Sequence, residues 1–459
     1  MTVDRRPFAR RAAIASVVCV GVLVAAAVGL FERLGLSKAS ASALAILLVA
    51  AILWITEAVP LFVTSLVILL LEVVWLSRVL GAAAPPARFL APFFSDIVLL
   101  FLGGFVLSKA LETYRLDERL AHRVLRRTGT APRAVLLGMM AATAFLSMWM
   151  SNTAATAMML ALGLTILARV PEGDGFRRAL LIGIPFAANL GGLGTPIGTP
   201  PNAIALRYLA DVGRPVSFAR WIALAVPLLV VLLAGTGWLL SRIYPSKITA
   251  LEIRDESDGE PPSSRAKAVL AITIVTVLGW LTADLHGLSA GVVALAATIV
   301  LFGSGFLSIP DLRSLPWDVL LVVGGGLSLG VAVELSGLGH ALVDRLPTEG
   351  ASPLLIWAAF AIVAGVMTAV MSNTATANLL LPLVASLRGV APAPLIIVIA
   401  FVCSIAMPLP VSTPPNAMVF GSGMLKVADM VRPGLIVSVV GTVIVLLFAT
   451  AVFPLLGVR

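Results

Sequence analysis

Two short polar phrases, each written twice in the same order, constrain this chain more than any other feature. Met150-Ser151-Asn152-Thr153 returns as Met371-Ser372-Asn373-Thr374. Gly198-Thr199-Pro200-Pro201-Asn202 returns as Ser412-Thr413-Pro414-Pro415-Asn416. All four lie inside strongly apolar sequence. Only 12% of the 459 residues are charged and 59% are hydrophobic; a soluble domain carries about 25% charged residues. With a mean hydropathy of +1.06, the chain reads as an all-α polytopic membrane protein. Helix-breaking phrases at membrane depth are tolerated only where the broken backbone is buried in protein or lines a cavity. When such breaks fall at corresponding places in two halves, they point to a transporter's binding site.

The repeat extends beyond the phrases. Asp96, which opens a run ending in Gly103-Gly104, matches Asp318, whose run ends in Gly325-Gly326, at an offset of 222 residues. The Ser-Asn-Thr phrases are offset by 221 and the Thr-Pro-Pro-Asn phrases by 214. Five full crossings separate the two Asp-Gly-Gly helices. An odd number inverts the second copy, so the two sets of phrases approach the bilayer midplane from opposite faces.

Taken in order, the basic start (Arg5-Arg6, Arg10-Arg11) precedes an apolar run over 12–30. This run is read as a retained first helix rather than a cleaved signal. Helices are expected at 40–58, 61–77 and 95–112. The next loop carries Arg115, Arg119, Arg123, Arg126, Arg127 and Arg133, the densest cationic stretch of the chain. Cations accumulate on the cytoplasmic side, which sets the N-terminus inside. Within it, Leu116, Leu120 and Val124 recur at helical spacing, the pattern of an amphipathic surface helix. Residues 134–168 are short for two crossings of about 20 residues each, so a re-entrant hairpin with Ser151-Asn152-Thr153 at its tip is expected. Gly and Pro break the span 179–209. A helix at 219–243 and a mixed-charge linker at 245–267 follow. The second half then runs through helices at 268–284, 288–306 and 318–336, a second hairpin in 352–387, a second broken span at 394–424 and a last helix at 433–455.

The phrases contain no Lys, Arg or carboxylate. They offer hydroxyls, amides and broken backbone. A helix beginning after a break presents free N–H groups and suits an anion. A helix ending before one presents carbonyls and suits a hard cation. Ser147 and Thr368 lie one turn before the tips, on the face of Ser151 and Ser372, so each hairpin supplies an oxygen cluster for one cation. Two cation sites flanking one anion site follow, with the cations offsetting the anion's charge. Asn202 and Asn416 either brace the broken loops or touch ligand. Glu57, Glu72 and Glu334, near span ends, are the rival intramembrane carboxylates. Asp96 and Asp318 complement helix N-termini. Cys19 and Cys403 have no metal-ligand spacing, and the net charge of +9 sits in topology-setting loops rather than forming a nucleic-acid surface.

These residues, with Trp54-Ile55-Thr56-Glu57-Ala58-Val59-Pro60, resemble the divalent anion/sodium symporter family over nearly the whole chain. The resemblance implies about eleven transmembrane helices plus two re-entrant hairpins in an inverted repeat. It also implies an N-in/C-out topology in the cell membrane, a homodimer and an elevator motion of a transport domain against a scaffold. On that plan, 12–131 holds scaffold helices 1–4 and the amphipathic arm, and 132–246 the first half of the transport domain. Residues 247–267 form the cytoplasmic linker, 268–348 scaffold helices 7–9, and 349–459 the second transport half. By the same resemblance, one Na⁺ takes Ser147, Ser151, Asn152 and Gly198. The other takes Thr368, Met371, Asn373 and Ser412, with Met371 acting through its carbonyl. Substrate meets Asn152, Thr153, Thr199, Pro200, Asn373, Thr374, Thr413 and Pro414.

The function expected is import of a small dianion, a C4-dicarboxylate such as succinate, malate or fumarate, coupled to Na⁺ and needing no other cofactor. The alternative is an inorganic oxyanion carrier (sulfate, phosphate or arsenite), proton-coupled. No HExxH, catalytic carboxylate pair or Ser/His arrangement is present, so an enzyme is not expected.

Overall fold

Long runs of Leu, Val, Ala and Ile bond their own backbone groups only as helix when no water is at hand. The computed structural model describes residues 6–251, 261–345, 352–387 and 391–453, and among them every regular element is helical. Asp255, Glu256, Asp258 and Glu260 of the expected linker, and Arg5 of the basic start, lie outside the described residues.

The first half comprises α1 (Arg6–Ala27), α2 (Lys38–Thr56), α3 (Leu61–Leu71), α4 (Asp96–Thr113), the amphipathic α5 (Leu116–Leu125), α6 (Pro132–Ser147), α7 (Asn152–Leu167), α8 (Gly175–Gly191), α9 (Pro200–Asp211) and α10 (Phe218–Ile243). The second comprises α11 (Ser264–Leu281), α12 (Ala290–Gly303), α13 (Trp317–Leu335), α14 (Pro353–Val370), α15 (Asn373–Ala385), α16 (Pro392–Ile405), α17 (Pro414–Phe420) and α18 (Val427–Val452). Eight helical stretches among the described residues are long and apolar enough to cross a membrane.

The hairpin arms α6 and α7 have 16 residues each. At 1.5 Å per residue that is about 24 Å, less than the roughly 30 Å hydrocarbon core. The second hairpin is uneven. Its arm α15 has 13 residues, but α14 has 18 and is one of the eight helices long enough to span.

Packing exchanges partners between the halves. α4 lies against α12, and α13 against α3. At both contacts a glycine permits the approach. A methyl group at Gly103 would stand 2.4 Å from Ala294 Cβ, and one at Gly325 2.3 Å from Ser65 Cβ. α7 of the first hairpin packs on α17, and α15 of the second on α9. At the centre, Leu181–Gly191 of α8 and Ala393–Ile405 of α16 are buried all round, as befits helices apolar on every face. Outer helices instead expose Ile274, Val275, Val366, Val439 and Leu447, an apolar surface of the kind lipid covers.

Short elements not foreseen include two between α3 and α4. α3 continues through a π-helical turn, Glu72–Leu76, and a short helix, Pro86–Leu90, leads into a tight turn before α4. Glu72, expected near a span end, is fully buried in that π turn. One of its oxygens meets Ser328 Oγ and the other has no partner.

Candidate functional site

Each hairpin reverses at a serine. Ser151 leaves the helical region and caps α7, its Oγ accepting from Ala154 N at 3.2 Å. Ser372 does the same for α15, accepting from Ala375 N at 3.2 Å. The cap satisfies one of the free N–H groups at a helix start. The next residue, Asn152 or Asn373, turns its side chain back over the hairpin.

There the two halves build the same cluster. Ser147 Oγ lies 2.6 Å from Asn152 Oδ1 and 2.8 Å from the carbonyl of Ala188 on α8. Thr368 Oγ1 lies 2.6 Å from Asn373 Oδ1 and 3.1 Å from the carbonyl of Cys403 on α16. In each cluster three oxygens converge and a single hydroxyl hydrogen serves them. Two acceptors share one donor, so each cluster has lone pairs to spare. Neutral oxygens in that arrangement are the ligand type a hard monovalent cation takes. Among the described residues no group of three or more His, Cys, Asp or Glu side chains is placed to hold a metal.

The broken spans close in on these clusters. A methyl group at Gly192 would stand 2.9 Å from Asn152 Oδ1 and 3.2 Å from the Gly198 carbonyl, so Asn152 and Gly198 face one small space. In the second half Ser412 Oγ donates to the carbonyl of Ala369, beside Thr368, at 2.9 Å. Met371 is buried and extended (φ −136°, ψ 173°), so its carbonyl leaves the helical ladder. Of the eight residues expected as cation ligands, Ser147, Asn152 and Gly198 come together in the first half; in the second, Thr368 meets Asn373 and Ser412 bonds beside them.

The residues expected to meet substrate differ in exposure. Asn152, Thr153, Asn373 and Thr374 are half-buried. Thr199 and Thr413 cap α9 and α17 from extended backbone and are nearly buried, while Pro200 is half-exposed and Pro414 exposed. The helix that follows each tip packs on the helix that follows the other half's broken loop, α7 on α17 and α15 on α9.

Asn202 and Asn416 resolve as braces. Asn202 Nδ2 donates to the carbonyls of Gly192 and Thr195, both at 2.8 Å. Asn416 Nδ2 donates to those of Met407 and Leu409, both at 3.1 Å. They hold loops that lack helical bonding of their own. Three contributors were missed. Thr195 donates to the Met148 carbonyl and ties the broken span to the tip. Trp221 Nε1 donates to the Leu193 carbonyl at 3.0 Å. Asn189 crosses between the halves, its Nδ2 reaching Thr413 Oγ1 at 3.0 Å and Asn416 Oδ1 at 3.2 Å. A lone amide among apolar residues of α8 was the one available signal for Asn189.

Comparison with known proteins points the same way. Residues 51–389 match the family described as citrate transporter (CitMHS). A protein named sodium-dependent dicarboxylate transporter SdcS, from Staphylococcus saprophyticus, is 35% identical over 94% of this chain and 89% of its own length. One of the same name from Staphylococcus aureus is 34% identical over 90% of this chain and 86% of its own. Among solved structures, the YdaH transporter of Alcanivorax borkumensis matches with a TM-score of 0.54 at 16% identity, covering 81% of this chain and 86% of that one. At that identity the likeness concerns the fold.

Proposed function

The chain belongs to the citrate transporter family, in its divalent anion/sodium symporter class, and from that membership we propose a secondary active symporter. It carries a small dianion, a C4-dicarboxylate such as succinate, malate or fumarate, into the cell together with Na⁺. It is a multi-pass membrane protein and a transporter rather than an enzyme.

The observation that carries the reading is the pair of matching oxygen clusters, Ser147–Asn152–Ala188 and Thr368–Asn373–Cys403. Each takes one Na⁺, with Ser151 and Gly198 completing the first and Met371 and Ser412 the second. The two positive charges offset a dianion held between them by Asn152, Thr153, Thr199 and Pro200 from one half and Asn373, Thr374, Thr413 and Pro414 from the other. With no formal charge on the protein at the tips, the loaded site is close to neutral. A charge left uncompensated in apolar surroundings costs several kcal/mol, so a partly loaded carrier crosses poorly. That penalty is the coupling.

The 16-residue hairpin arms and the exchange of partners between halves support about eleven spans, two re-entrant hairpins and an inverted repeat. On this reading the hairpins, broken helices, α10 and α18 move as a transport domain against a dimeric scaffold that includes α2–α4 and α11–α13. The Arg-rich α5 and its flanks lie on the cytoplasmic side, with the N-terminus inside and the C-terminus outside. Competition tests the substrate class. Excess succinate abolishes uptake of labelled malate, and excess sulfate leaves it intact. The reverse pattern would assign the site to inorganic oxyanions.

A further inference from the structure

The proposed substrate site treats its two capping threonines unequally. Thr413 Oγ1 accepts from Asn189 Nδ2 at 3.0 Å and from the backbone N–H of Asn416 at 3.3 Å. Both partners are donors. They occupy the two lone pairs of the hydroxyl, and its hydrogen is left to point at a third partner. Thr199, at the same place in the other half, receives no capping bond on its side chain.

The difference lies at one position. The carbonyls of Ala188 and Cys403 play the same part in the two clusters, so Asn189 corresponds to Ser404. Ser404 donates to Ala400 within its own helix and reaches no cap. Asn189 is 1% exposed and spans from α8 of the first half to the broken loop of the second; its own Oδ1 is buried and unpartnered. A buried amide with half its capacity unused is a costly thing to keep. The bonds it does make, to Thr413 Oγ1 and to Asn416 Oδ1, both lie at the cap of α17 and therefore call for a reason.

We propose that Asn189 is a positioning residue: it fixes the Thr413 hydroxyl as an obligate donor toward one carboxylate of the substrate. A hydroxyl that already accepts two N–H bonds is polarised and donates more strongly. It also accepts nothing further, so that end of the site takes an ionised carboxylate and disfavours a group that must itself donate. The Thr199 hydroxyl is free to donate or accept, so the other end tolerates more varied chemistry. The inference rests on the reading of Thr413 as a substrate contact.

A double-mutant cycle on purified protein in proteoliposomes, reading KM for succinate, maximal rate and Na⁺ dependence, separates the two claims. A hydrogen bond to a charged group contributes about 1.5–3 kcal/mol, and 1.4 kcal/mol is about tenfold. Thr413→Val is expected to raise KM for succinate at least about tenfold. Asn189→Leu, with the donor gone and the volume kept, is expected to raise it by a similar factor. Its maximal rate and half-saturating Na⁺ are expected to stay near wild type. The double variant is expected to be no worse than Thr413→Val alone. Multiplying effects, or a joint loss of rate and Na⁺ affinity in Asn189→Leu, would overturn the positioning role while leaving Thr413 in the site. An unchanged KM in Thr413→Val would instead remove Thr413 from the site and this inference with it. Should Asn189→Leu fail to fold, Asn189→Ser, too short to reach Thr413, carries the same cycle.

Discussion

Ser147 and Thr368 each place one hydroxyl hydrogen between two oxygen acceptors, and the cation reading stands or falls at these two side chains. Under the proposed function, removing either hydroxyl takes one ligand from one cation site. Ser147→Ala and Thr368→Ala are each expected to raise half-saturating Na⁺ about tenfold or more, as for loss of one charge-assisted contact. Thr368→Ser is expected to stay near wild type. Sodium titration of succinate uptake reads all three. These hydroxyls stood out in the sequence because they precede a duplicated motif; the arms end at Ser147 and Val370, so the hydroxyls meet Asn152 and Asn373 rather than the tip serines expected from helical spacing. Asn189 was not legible: it occurs once, and its partners are 224 and 227 residues away. The bracing role of Asn202 and Asn416 needed coordinates, since an asparagine beside a break serves loop or ligand equally well on paper.

Helices and their ends carry a second group of expectations. Asp174 caps α8, accepting from Phe176 N at 2.8 Å, and reaches the chain after α10 by accepting from Lys247 N at 2.8 Å. Burial alone pushes its carboxyl up, but the N–H bonds from Lys247, Phe176 and Ile248, with that of Ser246, outweigh it and hold it below the ordinary range. A depressed carboxylate stabilises the fold above the unfolded value of about 3.9 and loses that contribution as pH falls through the lower folded value. Thermal melts of wild type and Asp174→Asn should therefore differ by a constant amount from pH 5 to 8. The gap should close below about pH 4. A gap that widened on acidification would contradict the assignment.

The π turn supplies another case. Ser328 Oγ sits beside the Glu72 carboxyl and 2.9 Å from the Phe89 carbonyl, so its one hydrogen is divided between two acceptors. A side chain at 72 that both donates and accepts suits this geometry, so Glu72→Gln should keep melting temperature and uptake near wild type. Glu72→Ala, which opens a cavity and strips Ser328 of its partner, should cost about 2–5 kcal/mol, as for large-to-small changes in a packed interior. Main helices were readable from apolar run length, and the breaks from Gly and Pro. The π turn was not, because nothing in Glu-Val-Val-Trp-Leu departs from an ordinary helical pattern. Nor could length alone settle the second hairpin, where α14 is long enough to span.

Across the whole molecule, one structural relation recurs: each half completes the other. α4 leans on α12 and α13 on α3; α7 lies on α17 and α15 on α9. The offsets of 221 and 222 residues announced two matching halves. They could not announce the exchange of partners, which depends on glycines meeting Ala294 and Ser65 across hundreds of residues. Larger side chains at both close approaches, Gly103→Leu with Gly325→Leu, should separate the paired helices and lower the melting temperature in detergent. The surface left apolar on α11, α14 and α18 fits burial in lipid. The proposed function places a dianion and two cations where the halves meet, and it makes movement of one conditional on the others. Uptake of radiolabelled succinate into proteoliposomes, with and without an inward Na⁺ gradient at fixed pH, measures that dependence. Transient accumulation above equilibrium with the Na⁺ gradient, and its loss when K⁺ replaces Na⁺, is expected. Equal uptake in Na⁺ and K⁺ would contradict the coupling and the cation role of both oxygen clusters.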